Sequence, residues 1–340
     1  MGSTRTKILT LLSTGALLLA VPASALAATD LGRAEGGLGY IASRQKANGS
    51  IPAFSPIGST AEAVLAAVAV GQGRGVVKDA LGYLSRQVET GKVDGVGLRA
   101  KVVLAVSAAG RDPRAFGGTN LVAALRGTIS GGRFGTAAVF DDALATLALE
   151  SAGLKPSLTV TDWLRNAQCP DGGWAYDEPY SAATDDGSCY DGTPGDYFTS
   201  DSNTTSYVVQ ALEAANRATF VADPFAFFDS VRDDAHGGWS YSAGFIVTDA
   251  NSTALVLQAY AAAGGPVPAG GRTALRALQH QRCGAWAYSY DGAKRGVPDV
   301  GATIGAVPGL LLKPLPFTGP VIGPIATAIP ACVSPMRPSR

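Results

Sequence analysis

By type and spacing, the residues in this sequence that could do chemistry are carboxylates. Asp201, Asp249 and Asp299 each stand just before an Ala-rich apolar stretch, and Asp141 and Asp142 stand side by side. A carboxylate ahead of a helix caps it and meets its dipole, worth about 0.3–1 kcal/mol. Three on neighbouring elements would also make an acidic arc. Between Arg165 and Arg217 there is no basic residue, and Asp177, Glu178, Asp185, Asp186, Asp191 and Asp196 fall in that interval. Oxygen ligands in this 177–201 loop could take Ca²⁺, but the spacing is not that of an EF-hand loop. A solvated loop pinned by a disulfide is the plainer reading. His236 and His280 lie far apart and no C-x-x-C occurs, so no metal is assigned.

The elements that must position these groups are read from composition. Of the 340 residues 46% are hydrophobic and only 16% charged, with 27 basic and 27 acidic side chains. That balance excludes a disordered chain and gives no electrostatic case for nucleic acid. Residues 1–27 have a basic start, a short apolar run and an Ala-Leu-Ala end, the pattern of a secretory signal peptide. The run is too short for a comfortable membrane span, so no span is expected in the mature chain. An exported chain with Cys169, Cys189, Cys283 and Cys332 suggests two disulfides. Of three pairings, Cys169–Cys189 and Cys283–Cys332 are favoured, the first closing a loop of about twenty residues and worth roughly 3 kcal/mol.

Self-comparison reveals six units. Each holds an apolar stretch ending in Gln or Arg, a Gly-rich turn, and a second stretch rich in Ala, Leu and Val. The turn reads DGGWAY at 171–176, HGGWSY at 236–241 and GAWAYSY at 284–290. The fourth unit is longer by an insertion between Asp177 and Ser200. Both stretches have helix length, with Gly or Asn after them and Ser, Thr or Asp before them as cap signals. The second kind is apolar nearly all round and suits an inner layer; the first carries Arg86, Arg165 or Arg276 and suits an outer one. Neither end unit has the polar face of a solenoid cap, so six hairpins are expected to close into a ring.

The Gly-Gly-Trp turns behind a Gln-ended helix, followed by Ser-Thr-Ala-Leu-Val-Leu at 252–257, resemble the prenyltransferase and squalene-oxidase repeat of terpenoid cyclases. The resemblance covers residues 28–313 and implies an all-α fold, an (α/α)6 toroid around a central cavity. Trp174, Trp239 and Trp286 would then be structural, each burying a large ring between an outer helix and its turn. In class II terpene cyclases the proton donor is the third residue of Asp-x-Asp-Asp at the start of an inner helix, an acid held protonated. Aligned through the helix ends, the donor position here is Asn203, Asn251 and Gly301 in units four to six, and Phe140 in unit three. An amide is not an acid. Only Asp141 and Asp142 remain as a candidate catalytic pair.

The tail, 314–340, is Pro-rich and opens on Leu315-Pro316-Phe317-Thr318-Gly319, which resembles a Gram-positive cell-wall sorting signal. Pro320, Pro324 and Pro330 argue against the continuous helix that should follow. A tail clasped by Cys283–Cys332 is the competing expectation. The sequence thus reads as a secreted toroid, cell-wall anchored if the motif is used. It would be a non-catalytic module for a small apolar ligand or an extracellular protein, with Asp201, Asn203, Asp249, Asn251 and Asp299 at its cavity mouth. A minimal class II terpene cyclase using Asp141 or Asp142 is the alternative.

Overall fold

The computed structural model describes residues 23–135, 138–177, 199–321, 323–325 and 332, with side chains from Asp30 onward. Twelve α-helices occur among the described residues. Six form an inner layer: α2 (Pro56–Val70), α4 (Val96–Ala108), α6 (Val139–Ser151), α8 (Ser202–Ala214), α10 (Ala250–Ala262) and α12 (Val300–Leu310). The others flank them: α1 (Ala23–Ser43), α3 (Arg74–Glu89), α5 (Leu121–Arg126), α7 (Leu158–Asn166), α9 (Pro224–Ser230) and α11 (Ala269–Ala277). Each inner helix packs against the next, and α12 packs against α2, so the ring closes. α1 seals the seam by lying against both α12 and α2.

Local chemistry sets the helix ends. Asp201, Asp249 and Asp299 cap α8, α10 and α12, accepting from the amides of Thr204 (2.7 Å), Ser252 (2.8 Å) and Ala302 (2.7 Å). At the other end the chain turns out of the inner layer through a left-handed residue. Gly71, Gly110, Gly153 and Gly264 take φ between 67° and 78°, and Asn216 takes 56°. These are residue types that tolerate that region. The sixth inner helix ends instead on Leu312 at φ 51°, a conformation that costs a branched side chain on the order of 1–3 kcal/mol. The inner helices are Ala- and Val-rich and buried on nearly every side, while α3, α7 and α11 keep charged outer faces.

The turns pair as two-residue ribbons. β1 (Trp174–Ala175) pairs antiparallel with β2 (Ser200–Asp201), setting Trp174 opposite Asp201. β3 (Trp286–Ala287) pairs with β4 (Pro298–Asp299), setting Trp286 opposite Asp299. Trp174, Trp239 and Trp286 are fully buried. Trp174 and Trp286 donate their indole N–H to Leu164 O of α7 and Leu275 O of α11, both at 2.7 Å, which ties turn to outer helix. Trp239 reaches no such partner. Cys283 and Cys332 form a disulfide with Cα atoms 5.1 Å apart. Cys169 is also disulfide-bonded, and Cys189, its expected partner, lies outside the described residues. Among the described residues no helix is long and apolar enough to cross a membrane.

Candidate functional site

The inner helices enclose a cavity of about 220 Å³. Its walls follow from helical spacing. Residues two, six and nine positions after the capping residue fall on one face, because four and three residues each make close to one turn. Two positions on stand Phe140, Asn203, Asn251 and Gly301; six on stand Lys101, Tyr207, Leu255 and Gly305. Nine on stand Gln210, Gln258 and Pro308, of which Gln258 and Pro308 line the cavity. α2 supplies Glu62 and Leu65. The capping carboxylates themselves point elsewhere: Asp201 and Asp249 are 1% and 3% exposed and spend their oxygens on the caps.

The polar core of the cavity is an ion pair. Lys101 Nζ lies 2.7 Å from Glu62 Oε1 and 5.8 Å from the centre of the Phe140 ring. Burial works against the Lys101 charge, but Glu62, with Tyr207 and Asp141, more than offsets it, and the ammonium titrates above its ordinary value. Burial and Glu62 push the Tyr207 hydroxyl up to about 12. Phe140 meets Tyr207 edge-on at 5.1 Å and stacks on Tyr176 at 5.4 Å. Asn203 Oδ1 is buried without a protein partner, a free acceptor on the cavity wall.

The two candidate acids part company. Asp142 is fully buried and accepts from the Phe134 amide at 2.9 Å, the place that Thr205, Thr253 and Thr303 take toward Trp174, Trp239 and Trp286. Burial pushes its carboxyl up to about 7 against that amide and Arg133, and its second oxygen has no partner. Asp142 therefore braces a turn and does not line the cavity. Asp141, one residue earlier, lies so close over Gly97 of α4 that a Cβ there would meet its carboxylate at 1.9 Å. Burial raises the Asp141 pKa, Lys101 opposes the shift, and Asp177 adds to it.

Tyrosines mark the end of the inner ring where α6, α8 and α10 begin. Tyr176, Tyr241 and Tyr288 occupy the same place in the three Trp turns and are each nearly half exposed. Their backbone carbonyls accept from the first residues of the adjacent inner helices, Phe140 (3.3 Å), Ser202 (2.8 Å) and Ala250 (2.7 Å). The Tyr241 side chain also hydrogen-bonds Asp201, and burial, Asp201 and that bond together lift its hydroxyl pKa well above normal. Phe54, 82% exposed, completes the cavity entrance on the α2 side.

The sequence-selected Asn203 and Asn251 thus line the cavity, while Asp201, Asp249, Asp299 and the three tryptophans build the frame around it. Glu62, Lys101, Tyr207 and Gln258 were missed. Stepping six and nine residues from each cap would have found all but Glu62. Most of the acidic insertion, 178–198, lies outside the described residues. No group of three or more metal-ligating side chains occurs among the described residues.

No protein-family model and no curated protein matches the sequence. Solved structures do match. The type II terpene cyclase MstE from Scytonema is 15% identical over 84% of this chain and 98% of that one, with a TM-score of 0.53. The α-1,6-mannanase GH76A of Salegentibacter sp. HEL1_6 is 11% identical over 84% and 98%, with a TM-score of 0.52. A polysaccharide lyase is 9% identical over 84% and 96%, with a TM-score of 0.53. The closed inner ring and these alignments agree. The chain has an α/α toroid fold. That toroid is shared by cyclases, glycosidases and lyases, so the likeness establishes architecture and leaves the chemistry to the cavity.

Proposed function

We propose that this toroid is an exported, non-catalytic binding module that takes a small apolar ligand, or an apolar side chain of an extracellular protein, through the mouth of its cavity. One observation carries the reading. The layer where a class II cyclase keeps its acid presents Phe140, Asn203, Asn251 and Gly301, and the one carboxylate among the described residues lining the cavity, Glu62, is paired to Lys101. Among those residues a neutral alkene finds no protonated acid. The volume of about 220 Å³ also falls below the roughly 300–1,000 Å³ of pockets that engulf drug-sized ligands. A disulfide between Cys283 and Cys332 suits an oxidising, extracellular setting.

The neighbours suggest two enzymatic alternatives. The mannanase is described as inactive when two adjacent aspartates become asparagine, and here Asp141 and Asp142 are adjacent. Glycoside hydrolysis needs two carboxyl groups flanking one bond, and the buried brace of Asp142 is poorly placed for that. A minimal cyclase would rest on Asp141, whose raised pKa favours the acid form. Incubation with squalene or geranylgeranyl diphosphate decides: no cyclic product is expected, and one that Asp141→Asn abolishes would overturn the proposal. Calorimetric titration with hexanol and octanol tests binding directly. Saturable heat that Gly305→Leu removes is expected, since that side chain would grow into the cavity beside Asn251. Absence of heat in the native protein would count against the module.

A further inference from the structure

The sorting-like motif is the part of the sequence that the cavity reading leaves unused. In the structure it runs into the end of the toroid opposite the mouth. Leu315 is buried, and Leu315 and Phe317 both line the cavity. Gln258 Nε2 donates to Lys313 O at 2.6 Å, and the Leu315 amide donates to Gln210 Oε1 at 2.8 Å. Both glutamines stand nine residues after their capping aspartates, so the last layer of the inner ring is the one that holds the segment. Past the motif the chain stays attached. Gly319 N donates to Ala108 O at 3.4 Å, and Gly323 O accepts from the amides of Gly73 (3.0 Å) and Arg74 (3.1 Å). Cys332 is then joined to Cys283.

We propose that the segment Leu315-Pro316-Phe317-Thr318-Gly319 is a self-peptide seated in a binding site at the base of the toroid, closing the cavity there. In the folded chain it is thereby withheld from transpeptidases that recognise such a motif. An enzyme of that class breaks the Thr318–Gly319 peptide bond, joins the Thr318 carbonyl to the amine of an acceptor, and frees a new amino terminus at Gly319. To do so it must enclose the leucine and proline side chains. Leu315 is inside the toroid, and the chain is fastened on both sides of the bond to be cut. Detaching it would strip the cavity of two apolar walls and leave Gln210 Oε1 and Gln258 Nε2 without their partners.

The test uses the full-length oxidised protein, a soluble transpeptidase specific for Leu-Pro-x-Thr-Gly, and triglycine as the acceptor. Masses are read after reduction, because the Cys283–Cys332 bond would otherwise keep the cleaved piece attached. A synthetic peptide of residues 311–323, which the enzyme converts, sets the reference rate. The folded protein is expected to react at least a hundredfold more slowly. Conversion within tenfold of the peptide would overturn the proposal. Hydrogen exchange supplies a second reading: the Leu315 amide is expected to be protected by at least a hundredfold, and exchange at the unprotected rate would overturn the docked segment itself.

Discussion

The backbone amide of Trp174 donates to Thr205 Oγ1 at 2.9 Å, a bond that reaches across 31 residues from the Gly-rich turn into the first turn of an inner helix. Trp239 with Thr253 (3.0 Å) and Trp286 with Thr303 (2.9 Å) repeat it. Ile51 with Thr60 (2.8 Å) and Phe134 with Asp142 (2.9 Å) are its counterparts earlier in the chain. In every case the acceptor is wholly buried. The bond fixes the distance between the outer layer's turn and the inner ring, and so holds the cavity wall in place.

Replacing Thr205 by Val keeps the volume and orphans the Trp174 amide. A buried donor left without an acceptor costs about 1–3 kcal/mol. Urea denaturation should show a loss of that size, with the same direction for Thr253→Val and Thr303→Val. A Thr205→Ser variant, which keeps the hydroxyl, should retain most of the stability. A loss with Ser but none with Val, which keeps the methyl group, would show that the methyl group, not the hydrogen bond, matters.

Asp142 predicts a pH dependence of opposite sign to an ordinary salt-bridged carboxylate. Its folded pKa, about 7, lies above its unfolded value, so between roughly pH 4 and 7 the folded state binds more protons and stability falls as pH rises. Asp201 and Asp249, each pushed up to about 6 by burial against the cap amides, act in the same direction. His280, held below its usual value by burial, works the other way only up to about pH 6.5. The melting temperature should therefore be higher at pH 5 than at pH 8, by several degrees. Asp142→Asn keeps an oxygen for the Phe134 amide and should stabilise the protein at pH 8 while changing little at pH 5. A melting temperature that rises steadily from pH 5 to 8 in the native protein would refute this.

Asn203 offers a gain. Its buried, unpartnered oxygen carries a desolvation cost of about 1–3 kcal/mol in the ligand-free protein. Asn203→Leu should raise the melting temperature and weaken the binding of small alcohols. Greater stability with binding unchanged would mean that the oxygen faces no ligand.

Calcium should do little. Asp201, the acid closing the 177–201 loop, has Oδ1 on the Thr204 amide and Oδ2 on the Thr204 hydroxyl at 2.8 Å, so a cation there would compete with the helix cap. Millimolar Ca²⁺ is expected to leave the melting temperature unchanged. A rise of several degrees would place a site in the insertion.

The architecture was legible because it is written in short-range signals. The cap residues, the glycines that end inner helices and the all-apolar second stretches each act within a few residues. Trp174, Trp239 and Trp286 announce themselves by type, and the structure finds them buried. Their threonine partners do not, since a hydroxyl 14 to 31 residues away looks like any other helix residue. Asp142 is the instructive case. It stands where other units have Thr, so its carboxyl draws attention as a chemical group although its work is to hold Phe134. Lys101 and Glu62 were hidden for another reason: they stand on the consecutive inner helices α2 and α4, and the pair exists only once those two helices pack side by side.

The closed seam has a consequence for the order in which the molecule assembles. Gly37 of α1 lies so near α12 and its turn that a Cβ there would sit 2.7 Å from the Trp286 ring and 2.8 Å from Val307. Contacts that join the two ends of a chain are slow to form, because the loop between them must close first. A chain made N-terminus first would hold α1 with no neighbour on one side until α12 has been made. The ring therefore stays an open arc through synthesis, and becomes a vessel only once its final hairpin has arrived.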